Sequence, residues 1–290
     1  MNIPTALNRF FEDRFGSDIL EVSAVGGGCI NEAWRVELNN HQLFFVKQNS
    51  ISLKDMFEKE AMGLELLANA TRDIVIPETY GVVEDDERGQ VFLVMSFVVE
   101  GRRTSGFDEF FGASLALMHR NTSEQFGLDH DNFIGRLPQN NSWRDDWVTF
   151  FIECRIEPQF AMACNNGYFT RSEKESLNRM YQRLPDLFPA GEPALLHGDL
   201  WGGNYLCSNE NRPVLIDPAV YYGHREAELS FTRLFGGFGS AFYDGYDQTF
   251  PLEPGFSKRT GIYNLYPLLV HVNLFGGSYI SQAASIIRDF

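Results

Sequence analysis

Leu195-Leu196-His197-Gly198-Asp199-Leu200-Trp201-Gly202-Gly203-Asn204, followed downstream by Leu215-Ile216-Asp217-Pro218, is the stretch on which the fold turns. Two short apolar runs, Ala194 to Leu196 and Val214 to Ile216, read as strands flanking a Gly- and Asn-rich loop, so that polar side chains gather at a hairpin mouth. Each polar type has a physical job there. An Asp beside a substrate hydroxyl accepts its proton, while an Asn and a second Asp supply hard oxygen ligands that hold Mg²⁺ against phosphates. Asp199 is the expected base, and Asn204 and Asp217 are the expected metal ligands. The plain alternative is a polar hairpin with capping Asp and Asn. His197, directly before the base, reads as a hydrogen-bonding brace of the loop rather than a chemical group.

Working upstream, the alternating run Leu43 to Gln48 is a strand that carries Lys47 where an apolar alternation needs no ammonium. A lone strand lysine ordinarily solvates a surface. Here a helix follows over Leu53 to Ala70, with Met56, Ala61, Leu64 and Leu67 near one face, and it presents Glu60 and Glu58 as ion-pair partners. Glu60 lies thirteen residues after Lys47, and a lysine so paired suits the α- and β-phosphates of a nucleotide. Before the lysine, Gly26-Gly27-Gly28-Cys29-Ile30-Asn31 would let backbone N–H groups approach phosphates, although it departs from G-x-G-x-x-G. Further strands are expected around Thr79 to Glu84 and Gln90 to Val99, joined by a turn at Asp85 to Gln90. The stretch Val94 to Val98, with Met95, Ser96 and Phe97 at its centre, reads as a hinge whose backbone holds adenine.

Beyond Gly101 the pattern becomes helical, for example over Asp108 to Arg120 and Arg144 to Asn166. The fold class is therefore α+β in two lobes: residues 1–98 as a small antiparallel sheet with one helix that binds ATP, and residues 99–290 as a larger, mainly helical lobe for catalysis and substrate.

Composition narrows the partners. With 39 acidic against 24 basic residues the net charge is −15, which opposes attraction to nucleic acid or anionic membranes. No run reaches the roughly 20 apolar residues a membrane span needs. The N-terminal stretch, with Glu12 and Asp13, lacks a secretory pattern, so a cytoplasmic location is expected. The four cysteines are too sparse for a disulfide framework or a paired-thiolate zinc site and read as reduced thiols. No Gly-x-Ser-x-Gly elbow points to a serine hydrolase.

With these residues assembled, the chain resembles the fructosamine kinase (ketosamine kinase) family, a branch of the aminoglycoside-phosphotransferase-like, protein-kinase-like fold. The likeness spans nearly the whole length. It is carried by Leu195 to Asn204, by Ile216-Asp217-Pro218-Ala219 through Tyr222-Gly223-His224 to Glu228-Leu229, and by Phe235-Gly236-Gly237-Phe238. Supporting stretches are Phe45-Val46-Lys47, Met56 to Ala61, Trp143 to Trp147 with Phe150-Phe151, and Asn273 to Gly276.

The resemblance implies ATP- and Mg²⁺-dependent phosphorylation of the third-carbon hydroxyl of a ketosamine, the adduct of glucose or ribose with an amine, whose decay then restores the amine. It implies that Trp201 stacks on the sugar, although Trp201 read alone suits core filling equally. His271 and Asn273, on an aromatic-rich C-terminal helix, either face the sugar or are satisfied structural groups. Similar proteins also place a cysteine in the Gly-rich loop. Cys29 is thus either an inert small residue or a redox-sensitive thiol able to join two chains as a homodimer. The competing readings keep the fold with an aminoglycoside, choline, homoserine or another small alcohol as acceptor, or keep it without turnover as a nucleotide-responsive binding protein. The intact Lys47, Asp199, Asn204 and Asp217 set opposes the latter.

Overall fold

Alternation along the N-terminal strands builds the first half of the molecule. The structure, a computed structural model, describes residues 3–26 and 32–290. Helix α1 (Thr5–Phe15) ends at Gly16, whose left-handed φ of 63° lets its N–H bond Glu12 O at 2.9 Å. Strands β1 (Ile19–Val25), β2 (Glu32–Leu38) and β3 (Leu43–Ser50) precede helix α2 (Lys54–Ala70), and β4 (Thr79–Asp85) and β5 (Gln90–Ser96) follow it. They form an antiparallel sheet in the order β1-β2-β3-β5-β4. Successive strand residues face opposite sides. Trp34, Val36, Phe44, Val46, Phe92 and Val94 therefore pack with Leu7 and Phe11 of α1 in one core. Lys47, one residue out of step with Val46, falls on the other face. There the buried Met56, Phe57, Leu64 and Leu67 give α2 its apolar side.

The chain continues through α3 (Phe107–Met118), β6 (Asn132–Ile134), β7 (Leu137–Gln139), α4 (Trp147–Phe150), α5 (Glu157–Asn165) and α6 (Arg171–Leu187). Then come β8 (Ala194–Leu196), β9 (Tyr205–Cys207), β10 (Pro213–Leu215) and β11 (Tyr221–Gly223), and finally α7 (Arg225–Leu234), α8 (Ser240–Thr249), α9 (Phe256–Phe275) and α10 (Ser278–Arg288). The helix expected over Arg144 to Asn166 starts later, because Arg144 is engaged in an antiparallel bridge to Phe126 and Asp146 caps the first turn through Thr149 N–H at 2.8 Å. Between α4 and α5 the backbone widens into a π-turn over Phe151–Ile156, just before Pro158, which has no N–H to give the preceding turn.

The two strands expected to flank the 198–204 loop do not pair with each other. Asn211, left-handed at φ 58°, and the Ser208 N–H to Arg212 O bond of 2.9 Å fold β10 back on β9, and β8 pairs with β11 instead.

By their own contacts the residues sort into two units, Met1–Thr104 with Leu206–Pro218, and Ser105–Tyr205 with Ala219–Phe290. Segment 206–218 is thus folded with the N-terminal sheet. Val75 bridges Val214, Glu100 bridges Ser208, and Gly101 N–H bonds Cys207 O at 2.8 Å. In the second unit α9 is apolar nearly all round, with Ile262, Leu265, Leu268, Leu269 and Val272 buried at the centre of the core. Helices α3 and α8 approach at backbone distance: a Cβ on Gly112 would collide with Phe242 O, and one on Gly245 with Glu109 O. Among the described residues no helix is long and apolar enough to cross a membrane.

Candidate active site

Within the first unit, Lys47, Glu60 and Asp217 meet. Lys47 Nζ lies 2.5 Å from Glu60 Oε1 and 2.5 Å from Asp217 Oδ1. The alternation of β3 turns Lys47 toward α2, and Glu60 stands on the turn of α2 that reaches it, as the thirteen-residue spacing requires. Burial disfavours the ammonium, but the two carboxylates outweigh it and raise the Lys47 pKa above that of an ordinary lysine. Glu60 moves up as well, because its burial exceeds the pull of Lys47. Asp217 adopts a left-handed φ of 56°, which Asp tolerates better than most residues. Its side chain is 45% exposed, so Oδ2 remains open to a further partner while Oδ1 holds the lysine.

Of the expected nucleotide-binding residues, Gly26 directly follows β1, is exposed, and has open space where a side chain would sit. Gly27, Gly28 and Cys29 lie outside the described residues. Met95 is buried at the end of β5. The N–H groups of Ser96 and Phe97 are already taken, by Glu78 O at 2.8 Å and Leu43 O at 3.4 Å. Cys154, Cys164 and Cys207 are free thiols.

Within the second unit, the loop after β8 carries Asp199 and Asn204. Asn204 Nδ2 donates to Asp199 O at 2.8 Å and to Asp199 Oδ2 at 2.9 Å, which orients the carboxylate and leaves the amide oxygen of Asn204 as its remaining acceptor. Asp199 N–H donates to His197 Nδ1 at 3.3 Å, so the buried imidazole does brace the loop. Gly198 is required here. Its φ is 83°, and a Cβ would collide with Ala219 O. Trp201 is 39% exposed and therefore not core filling. Its indole lies over Gly203, where any Cβ would strike the ring.

His271 lines the same small cavity as Asp199, among Leu196, Tyr266 and Val270. Asn273 does not line it. Two residues along a helix point to different faces, and the Asn273 amide donates to Gln159 O and Oε1 at 2.9 Å each.

A buried network behind Asp199 centres on Glu228, which the sequence offers only as part of the stretch that carries the resemblance, with no role attached. Glu228, on α7, accepts from Gly198 N–H at 2.7 Å, His197 N–H at 3.2 Å and His119 Nε2 at 2.8 Å. His119 Nδ1 in turn lies 2.8 Å from Tyr246 OH, a contact made possible by the close α3–α8 packing. Burial opposes ionisation of Glu228, but His119 and the Gly198 N–H outweigh it and hold its pKa below the ordinary glutamate value. The carboxylate thus clamps the two peptide units that lead into Asp199. Arg155 is fully buried in the π-turn, its guanidinium 3.9 Å from the Tyr221 ring and 4.5 Å from that of Phe150.

The donors Asn204 Oδ1 and Asp217 Oδ2 are hard oxygens, the ligand chemistry of Mg²⁺ and not of a thiolate- or imidazole-seeking metal.

A family model described as fructosamine kinase matches residues 4–290. A probable ketoamine kinase from Synechocystis is 40% identical over 272 residues, covering 93% of this chain and 90% of its own. The chloroplastic protein-ribulosamine 3-kinase of Arabidopsis thaliana is 39% identical over 278 residues, covering 94% and 83%. The crystal structure of a candidate fructosamine-3-kinase from Thermobifida fusca superposes with a TM-score of 0.87 at 33% identity, covering 99% of this chain and 98% of that one.

Proposed function

The chain belongs to the fructosamine kinase family, and from that premise we propose that it transfers the γ-phosphoryl group of ATP to the third-carbon hydroxyl of a ketosamine. The names of its relatives, ketoamine kinase and ribulosamine 3-kinase, support the substrate class. The observation that carries the reading is the double hydrogen bond from Asn204 to Asp199. It holds the Asp199 carboxylate in one orientation, as a general base requires.

In this reading Asp199 accepts the proton of the sugar hydroxyl as the oxygen attacks phosphorus. Lys47, held ready by Glu60, binds the α- and β-phosphates, releasing Asp217 to turn toward a cation. Asn204 and Asp217 are assigned as the holders of Mg²⁺, which when bound neutralises phosphate charge. Glu228 keeps the base in register through the backbone of His197 and Gly198. Trp201, exposed beside Asp199, is the surface on which the sugar stacks.

The test is ADP production with a fructosyl-amine or ribulosyl-amine as acceptor, set against an aminoglycoside and choline. Asp199→Asn keeps the shape and removes the base, so turnover should fall by about a thousandfold. An unchanged rate in Asp199→Asn, or preference for the aminoglycoside or choline, overturns the reading.

A further inference from the structure

Three rings of the second unit, Phe235, Phe275 and Tyr279, gather around the imidazole of His271. Centroids lie 4.7 Å apart for Phe235 and His271, 4.9 Å for His271 and Tyr279, and 5.6 Å for His271 and Phe275. Their planes are inclined by 45°, 53° and 50°, a tilted packing rather than a parallel stack. Phe275 is 63% exposed and Phe235 37%. Two solvent-facing phenylalanines converging on one half-buried histidine form the kind of apolar surface that marks a ligand site.

Two connections tie this cluster to the base. His271 lines the cavity that Asp199 also lines. Phe235 leads into Gly236-Gly237, whose backbone is pressed against the Asp199 loop: a Cβ on Gly237 would lie 2.8 Å from Gly202 Cα, and Gly237 O accepts from Tyr205 OH at 2.6 Å.

The electrostatics of the cluster select one ligand chemistry. His271 Nδ1 lies 2.8 Å from Pro267 O, and since a carbonyl only accepts, Nδ1 carries the hydrogen and Nε2 presents a lone pair. Burial pulls the His271 pKa below its ordinary value, which keeps the ring neutral. A neutral acceptor and aromatic π faces together favour a cation that carries apolar surface. The nitrogen of a ketosamine is an alkylated amine, protonated at neutral pH, with a carbon arm attached.

We infer that Phe235, Phe275 and Tyr279, grouped around His271, form the subsite for the protonated amine and alkyl arm of the ketosamine, and that discrimination against the free ketose resides there. This rests on the ketosamine kinase reading above and adds where the amine half is recognised. Binding there acts on ground state and transition state alike, because the amine does not react, so its loss appears in KM.

The experiment compares two acceptors, fructosyl-lysine linked through its side-chain nitrogen and the same compound with that nitrogen acylated to a neutral amide. The proteins are the parent, Phe275→Leu, Phe235→Leu and the double variant. Leucine keeps apolar bulk and removes the π face, and the exposure of both sites lets the variants fold. The ratio of kcat/KM for the charged over the neutral acceptor should fall about tenfold in the double variant, through KM. An unchanged ratio, including the case in which both acceptors lose activity equally, overturns the subsite. Turnover by the parent tests the kinase reading separately. If the parent phosphorylates neither acceptor, that reading fails, and calorimetric binding of the charged compound decides the subsite, equal affinity in parent and double variant overturning it.

Discussion

Glu228 offers the sharpest test of how Asp199 is held. Replacing it with alanine orphans two buried donors, the His197 N–H and His119 Nε2–H, and the part-buried N–H of Gly198. His119 and His197 are 1% and 0% exposed, so water cannot substitute. Each orphaned buried donor costs about 1–3 kcal/mol, so the two fully buried ones together should cost Glu228→Ala about 4 kcal/mol. Glu228→Gln keeps the shape and the Gly198 bond but sets an amide NH₂ against both the His197 N–H and His119 Nε2–H, which share the other oxygen, for a loss of at least about 2 kcal/mol. Because the clamp positions the peptides leading into Asp199, the glutamine variant should also lose about 100-fold in kcat, with KM for ATP retained.

The pH dependence has a fixed sign. The folded pKa of Glu228 lies below its ordinary value, so its contribution is present above that value and is lost as pH falls through the folded pKa. The glutamine variant should lack this acid-side loss. Urea unfolding across pH and steady-state kinetics measure both effects. A Glu228→Gln protein that unfolds at the parent's urea concentration and turns over at the parent's rate would show that the clamp holds nothing.

Two further outcomes follow from other buried groups. His224 caps α7, accepting from Glu226 N–H at 3.3 Å, and burial pushes its pKa down to about 3; the unfolded chain therefore takes up the proton first as pH falls below about 6.5, destabilising the fold by about 2 kcal/mol at pH 5. His224→Asn retains a capping side chain, so its stability measured between pH 7 and pH 5 should be flatter than the parent's by about that amount. Gly198→Ala forces a Cβ into Ala219 O at a left-handed φ, so it should cost more than about 1 kcal/mol of stability and abolish turnover, as urea unfolding and ADP release will report.

The groups that were legible in the sequence are those whose geometry is local. Strand alternation places Lys47 opposite Val46, helix spacing carries Glu60 to it, and a five-residue loop offset joins Asp199 to Asn204. What remained hidden depends on contacts between distant positions. Glu228, His119 and Tyr246 are more than 100 residues apart along the chain in each His119 contact, and nothing near His119 announces a partner. The pairing of β8 with β11 was equally invisible, because three residues are too few for a period and the deciding feature was the turn at Asn211. Asn273 reads as a site residue by its helix, yet its amide is committed to Gln159, on the next-packed helix α5. Trp201 reads equally well as core, and only its exposure separates the two.

The charges in the first unit explain why an acidic chain can still bind a polyphosphate. Lys47 stands alone between Glu60 and Asp217, one ammonium against two carboxylates, so with both ionised this cluster is net negative before any nucleotide arrives. It therefore cannot attract phosphates by its field, and a net charge of −15 does not help. What the arrangement does supply is exchange. Asp217 holds the ammonium through one oxygen while its half-exposed side chain offers the other, so on the reading proposed above phosphate oxygens would replace Asp217 at Lys47 and leave its carboxylate for a divalent cation. Glu60, buried on α2, stays with the lysine throughout and keeps it charged and aimed. The two carboxylates differ in burial: the buried one is the fixed partner of the lysine, and the half-exposed one is the one that, on the proposed reading, would exchange the lysine for a metal ion.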